Sequence, residues 1–416
     1  MNFCQIIIKS LRQHLLSTVL AIISIGMGVA LMISVVSLRE QAHNNFTQVG
    51  LGVDAVLGPK GSPLQIVLNA LFHLETMPGK VRWPYYQMVL QDPIVESGIP
   101  FITGHSFGGF RVNAIDKRFF TDFQYLSGKF FSFSPQLGGK GRVFKANDEA
   151  VAGWTAAKAL DIKLGSTFNP VCGVKAGDPV HVNNNIKFVG IMAPTGTPHD
   201  RAIYIPLISF YTLEGHGSEV DRMTVDEEYR EISGAYLKIR RIRGNAIHPG
   251  IQELQYNINQ SKSAQLVVPN KVLPRLFNII GWVDLVLFAI AVLVTVLAIL
   301  FLFAALVSTL QQRRRDIALM RSLGATRKTV FGLIISESLV ITLLGGFMGL
   351  FVGHLIVAFG SHFIKVETGL MFSFAYISRV EIFLFPGLIV IGILAGIVPA
   401  IQAYRLSVLK NLVSVS

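Results

Sequence analysis

A chain of 416 residues that is 51% hydrophobic and only 15% charged, with a mean hydropathy of +0.52, is too apolar to be an ordinary soluble protein. A formal charge of +12 and a pI near 9.7 would fit a nucleic-acid binder. The placement of that charge excludes one: ten Lys/Arg against one acid, a net of +9, lie in three short pieces beside long apolar stretches.

The first stretch, Leu15 to Leu38, carries no charge over 24 residues. A signal-peptide core is roughly 7 to 15 residues, and no small-x-small cleavage pattern follows Leu38, so the stretch is expected to remain as an anchor. Cys4 precedes it and is not a lipoprotein-type cysteine. The region Asn44 to Arg275 then stands outside, long enough for one or two compact domains of mixed α and β type. With Cys172 alone there, it must be held by its core rather than by a disulfide.

Within this region Glu149 to Leu160 reads as a strand entering a short helix closed by Gly165. Ile186 to Met192 reads as a strand after the turn residues Asn183 to Asn185, with Val180 to Val182 as its hairpin partner. Ala202 to Ile205 and Ala235 to Ile239 are further strands. The run Gly104-His105-Ser106-Phe107-Gly108 matches the G-x-S-x-G nucleophile elbow, but an elbow needs a helix directly after the serine. Phe110 to Ile115 alternates as a strand instead, and nothing in the spacing of Asp178 or His199 recruits them as triad partners. A glycine-rich turn between two strands is the expectation. Gly139-Lys140 is no P-loop, because Ser134 replaces the first glycine and Gly141 the hydroxyl that would hold magnesium. The ten histidines show no metal-ligand spacing, and only the fold can gather His181, His199 and His216.

Leu285 to Ser308 is again 24 residues without a charge, beyond the roughly 20 that span a bilayer as a helix. Phe331 to about Phe359 is as apolar apart from Glu337 and His354, and Ile382 to Tyr404 completes a set of four spans. Gly345, Gly349 and Gly353 recur every fourth residue in the third span. Gly392 and Gly396 do so in the fourth, and Gly26, Ala30 and Ser34 in the first. Such stripes let helices approach closely. With no run of ionisable residues in any span, they point to tight packing rather than an aqueous path. Glu337 is the exception, about two turns into the third span, roughly 10 Å deep, where it is expected to snorkel or to pair with an arginine of the preceding loop.

That loop, Gln311 to Lys328, carries six basic residues against Asp316, which places it in the cytoplasm together with both termini. Ile317, Met320 and Leu323 repeat at helical spacing, Gly324 is a suitable helix terminator, and Thr326 can cap the third span. A short amphipathic helix on the membrane surface serves either as an interfacial anchor or as a handle for a cytoplasmic motor.

The stretch from Arg313 to Gly353, RRRDIALMRSLGATRKTVFGLIISESLVITLLGGFMGLFVG, closely resembles the signature of the FtsX-like/MacB-like permeases of ABC transporters. Asp316, Arg321, Gly324, Ala325, Glu337, Gly345 and Gly346 fall on its characteristic positions. Ala395 to Ala400, with Pro399, followed by Ala403 and Arg405, resembles the family's closing motif, and Val408 departs from a common proline. Segment Val53 to Lys80 resembles a subgroup of these permeases.

The resemblance implies a polytopic α-helical membrane protein with four transmembrane helices and a large α+β extracytoplasmic domain between the first two. The divisions would be 1–43 for the N-terminus and first helix, 44–275 for the extracytoplasmic domain, and 276–416 for the permease domain with its coupling loop at 309–330. It implies a non-catalytic permease subunit in a bacterial inner membrane, paired with a second permease subunit, in contact with membrane lipid, and served by a separate ATPase dimer that binds ATP and Mg. An envelope adaptor or cargo protein is a further expected partner, nucleic acid is not, and no cofactor or metal is expected in this chain. Arg313, Arg314, Arg315, Asp316, Ile317, Met320, Arg321, Leu323 and Gly324 would couple to the ATPase. Gly345, Gly346, Gly349, Gly353, Gly392, Gly396 and Pro399 would pack the helices, and Glu337 would be the intramembrane acid. The cargo would be a lipoprotein, lipid, peptide or small amphiphile, exported or extracted. The same motion could instead regulate a cell-envelope enzyme or sensor, and a membrane-anchored serine hydrolase at Ser106 is the more remote alternative.

Overall fold

The computed structural model describes residues 3–50, 53–126, 128–173, 184–213, 227–242, 246–368 and 372–405. The expected Val180 to Val182 strand, His181, His216 and Val408 lie outside them. The chain divides into a membrane unit (Met1–Ala42, Ile280–His362, Phe372–Ser416) and a second unit, the one expected to be exported (His43–Ile279, Phe363–Met371).

The membrane unit begins with an 11-residue helix, α1 (Phe3–Gln13), ahead of the first expected span. It buries Ile7 and Ser10 and exposes Lys9 and Arg12, an amphipathic pattern suited to a membrane surface. α2 (Leu15–Gly50) follows after a break at His14. At 1.5 Å per residue its 36 residues reach about 54 Å, well past the ~30 Å of a hydrocarbon core.

Between α2 and the later spans the chain forms α3 (Pro63–Phe72), α4 (Trp83–Leu90), α5 (Phe119–Asp122), α6 (Trp154–Ala159), α7 (Leu207–Thr212) and α8 (Ile251–Gln260). The remaining spans lie in α9 (Pro269–Gln312), α11 (Arg327–Thr368) and α12 (Arg379–Arg405), with the short α10 (Arg314–Ser322) between α9 and α11. Among the described residues four helices are long and apolar enough to cross a membrane, as expected.

The exported unit is built on one mixed sheet. Its strands are β1 (Ala55–Gly58), β3 (Val95–Phe107), β4 (Phe110–Ile115), β5 (Lys140–Gly141), β6 (Glu149–Ala152), β7 (Thr167–Phe168), β8 (Val171–Cys172), β9 (Ile186–Ile191), β10 (Ala202–Pro206), β12 (Gly234–Ile239) and β13 (Gln265–Val267). The order is β13-β1-β12-β3-β4-β10-β6-β9-β5, with β7 on β9 and β8 on β3. The short β2 (Val81–Arg82) and β11 (Glu231–Ile232) pair separately. β10 runs parallel to β4, and β9 parallel to β6. The central strands are buried almost throughout, and α4, α6, α7 and α8 add their apolar faces to the same core.

Local chemistry explains the turns. β3 and β4 are joined through Gly108 and Gly109, both at positive φ (57° and 83°), the pairing that a two-residue hairpin of the right twist requires. α3 starts on Ser62, whose hydroxyl accepts the Gln65 amide, with Pro63 in the first turn. It ends on His73 in the left-handed region at φ 54°. One expectation needs correction: α6 ends at Ala159, before Asp161 at φ 47°, so Gly165 serves the next turn and does not close the helix.

Candidate coupling site in the membrane unit

α10 is set by two opposed demands on its nine residues. Ile317 and Ala318 are buried, Ile317 in a cluster with Leu310 of α9, Val330 and Ile334 of α11, and Ala400 and Ala403 of α12. Met320 packs against the same cluster. Arg314, Arg315 and Asp316 face outward, and Arg321 is half-buried. The helix ends in a Schellman turn: the Ala325 amide donates to the Met320 carbonyl at 3.0 Å, the Gly324 amide to Arg321 at 3.2 Å, and Gly324 sits at φ 106°. The Thr326 hydroxyl then accepts the Thr329 amide and caps α11. Leu323 departs from its expected face. It is 87% exposed, because the helix stops at Ser322 and the chain turns away before Leu323 can join Ile317 and Met320. With Leu319, 44% exposed, it makes an outward apolar pair.

Arg313 does not share the outward face of Arg314 and Arg315. Its side chain is 11% exposed and lies 3.4 Å from the Glu337 carboxylate, itself 6% exposed. Ser10 of α1 completes the cluster, its hydroxyl donating to Glu337 Oε1 at 2.7 Å and accepting from Arg313 Nη1. A pocket of about 20 Å³ adjoins the pair, lined by Thr309, Leu310, Ile317 and Val330 among others. The cluster ties α1, the end of α9 and α11 together at the root of α10. A charge held this deep is tolerated only when paired and hydrogen-bonded.

The glycine stripes mark where α11 meets its neighbours. A methyl on Gly349 would stand 2.6 Å from both the Gly26 carbonyl and Val29 Cβ of α2. One on Gly345 would stand 2.8 Å from Ile25 Cβ, and one on Gly353 3.1 Å from the Ala30 carbonyl. The opposite side of α11 meets α12. Gly346 faces Leu388, Gly396 leaves 2.9 Å to Ser338 Cβ, and the Ser338 hydroxyl donates to the Gly392 carbonyl at 2.7 Å. Pro399 is buried within α12. Ser34 is buried, with its hydroxyl returned to the Leu31 carbonyl.

This arrangement matches known families at the level of sequence. Residues 288–408 match the FtsX-like permease C-terminal domain, and residues 18–237 match the MacB-like periplasmic core domain. The chain belongs to the FtsX-like/MacB-like permeases. Among solved structures, the periplasmic region of MacB from Actinobacillus actinomycetemcomitans is similar at 12% identity and a TM-score of 0.33, over 55% of this chain and 95% of that one. The extracellular domain of the noncanonic ABC-type transporter YknZ from Gram-positive bacteria is similar at 11% identity and 0.28, over 51% and 98%. No curated protein matches. The permease is thus a component of ABC transporters, a family not itself catalytic whose members work with cytoplasmic ATPases. Four apolar helices and a periplasmic-type domain fit an inner-membrane protein.

The other sequence candidates fall elsewhere in the permease. Ser106 lies in β3, 6% exposed, its hydroxyl donating to the Gly173 carbonyl at 2.6 Å, and a strand follows it instead of a helix. Among the described residues no cluster of three His, Cys, Asp or Glu is placed to hold a metal. His199 does find a histidine, but it is His73, brought to it by the Val53 to Lys80 segment. Sequence reasoning also missed Ser10, for which a serine on the buried face of an amphipathic N-terminal helix was the available signal.

Proposed function

We propose that this permease couples ATP hydrolysis in a separate cytoplasmic ATPase dimer to movement of its exported unit, and so exports or extracts a lipoprotein, lipid, peptide or small amphiphile. The observation that carries the reading is the two-sided construction of α10. Ile317 and Ala318 seat it on the membrane helices, while Arg314, Arg315, Leu319 and Leu323 are left for a partner. A push on that outer face reaches α11 directly through the capped turn at Thr326, and reaches α1 through Arg313, Glu337 and Ser10. Helices packed through Gly345, Gly349 and Gly353 against α2 move as a body, since the glycine backbones lie directly on Ile25, Val29 and Ile33 with little slack between them.

The composition of the described spans supports the cargo class. Among the described residues, the charged groups buried within them, Glu337 and Glu381, are each tied to a neighbour, Glu381 by His354 at 3.3 Å. A continuous polar route for an ion or soluble solute is not laid out, whereas cargo taken from the membrane or from outside needs none. The termini and α10 then face the cytoplasm, a second permease subunit completes the pair, and ATP and Mg reside in the partner.

The test is the double substitution Arg314→Glu with Arg321→Glu. Stimulation of the partner ATPase should be lost with membrane insertion intact, and normal coupling in that variant would overturn the assignment.

A further inference from the structure

The exported unit contains a buried polar cluster that the coupling reading does not use. His73 Nε2 and His199 Nδ1 are 3.1 Å apart, and the Tyr204 hydroxyl is 2.9 Å from the same His199 nitrogen and 3.4 Å from His73 Nε2. Asn113 Nδ2 donates to His73 Nδ1 at 3.1 Å, which leaves the His73 proton on Nε2, directed at His199. Phe119, Phe123 and Phe131 close over His199 with ring centroids 5.4 to 5.6 Å away. His73 is 9% and His199 1% exposed.

This cluster is complete only with both imidazoles neutral. A second proton on His73 would set an N–H against the Asn113 amide, and one on His199 Nδ1 would set an N–H against the His73 proton. Among the described residues no carboxylate hydrogen-bonds to either imidazole. The charged groups acting on His73 are Arg111 of β4 and Arg201, both cations, and the Asp200 carboxylate beside His199 is occupied by the Thr195 and Gly196 amides. Tyr236, on β12, directs its hydroxyl to the Ala70 carbonyl, Glu75 acts on Arg111, and Lys365 acts on Asp200. Burial, reinforced by Arg111 and Arg201, lowers His73 to about 3. Burial, reinforced by His73, holds His199 well below the ordinary imidazole value. The same donors suit a metal cation poorly, because the third is a phenol that burial drives further toward its neutral form and the neighbouring charges are positive.

His73 is also the residue that fastens α3. It is the helix's C-cap, and its neighbour Phe72 stacks on Phe46, on the outer part of α2, at a centroid distance of 4.6 Å. We propose that the His73–His199 pair is a proton-sensitive latch: neutral, it holds the end of α3 and the following turn against the sheet; protonated from the external medium, it releases them and loosens the Phe72 grip on α2.

The sign follows from linkage. In the released state each histidine titrates near its ordinary value of about 6.5, so that state binds more protons below that pH, and the latched form loses ground as pH falls. Between pH ~7.5 and pH ~5.0 the opening equilibrium should rise about 30-fold if one imidazole is released and about 10³-fold if both are.

Hydrogen exchange of the full-length protein in nanodiscs, read by mass spectrometry at those two pH values and corrected for intrinsic rates, tests this. Protection of Asn69 to Thr76 should fall by one of those factors at the lower pH, while β12 and β10 stay protected. A His73→Asn/His199→Leu variant, in which Asn suits the left-handed backbone, should show the same protection at both. Unchanged protection in the wild type would overturn the latch, as would loss across the whole exported unit or a pH response that persists in the variant. The wild-type comparison decides the matter even if the variant does not fold.

Discussion

Arg313 and Glu337, 24 residues apart in sequence, meet at 3.4 Å at the point where α10 leaves the membrane helices. Ser10 locks the pair from the other end of the chain. Glu337→Gln should cost about 3–5 kcal/mol, since it strands a buried guanidinium. Arg313→Met together with Glu337→Leu should recover most of that loss. Thermal unfolding in detergent of the single and double variants checks both, and a double variant no better than Glu337→Gln would show that the pair is not the source of the effect.

Gly349→Ala should destabilise by about 1–3 kcal/mol through overpacking, because its methyl would meet Gly26 and Val29 at 2.6 Å. Gly360, in the same helix, has open space around it, and Gly360→Ala should be neutral or slightly stabilising. Equal melting temperatures for the two variants would contradict the role assigned to the stripe.

Glu149 accepts two bonds from Arg142, at 2.6 and 2.8 Å, and one from the Lys145 amide at 2.6 Å. The Arg142 bonds come first among the causes that bring its pKa to about 2. A depressed carboxylate gives stability that is present above its unfolded value and lost as pH falls through the folded one. Glu149→Gln should therefore cost about 1 kcal/mol at neutral pH, allowing for solvent at the half-exposed Arg142, and the difference from wild type should vanish towards pH ~2. Denaturation curves at several pH values read this directly; a constant difference would refute the linkage.

Orientation is open to chemical labelling. In a background with both native cysteines replaced by serine, Lys163→Cys, on an exposed turn of the exported unit, should react with an impermeant maleimide in intact cells. Ser322→Cys, at the end of α10, should react only after the membrane is breached. The reverse pattern would invert the topology inferred from the arginines.

Length and apolarity made the four spans legible, and the period of four in Gly345, Gly349 and Gly353 made their contact face legible, because both depend on local sequence alone. The Glu337 partner was half legible: an arginine of the preceding loop was foreseeable from helix geometry, but Ser10 lies 327 residues away and only the fold brings it in. Leu323 was misplaced because helical spacing was carried one residue beyond the helix, across the Gly324 turn whose cost in direction a periodicity cannot register. His73 and His199 were opaque for a related reason. Neither has a ligand-like spacing, and their meeting depends on where α3 ends and on the turn that leads into β10.

We propose that α10 is the handle of a separate ATPase. Purification of the permease from native membranes in mild detergent, with mass spectrometry of what accompanies it and an ATP hydrolysis assay, tests this most directly. A distinct ATP-binding subunit with vanadate-sensitive hydrolysis, lost from the preparation when Leu319 and Leu323 are replaced by aspartate, is the predicted result. Recovery of the intact chain alone, with no ATPase, would contradict it.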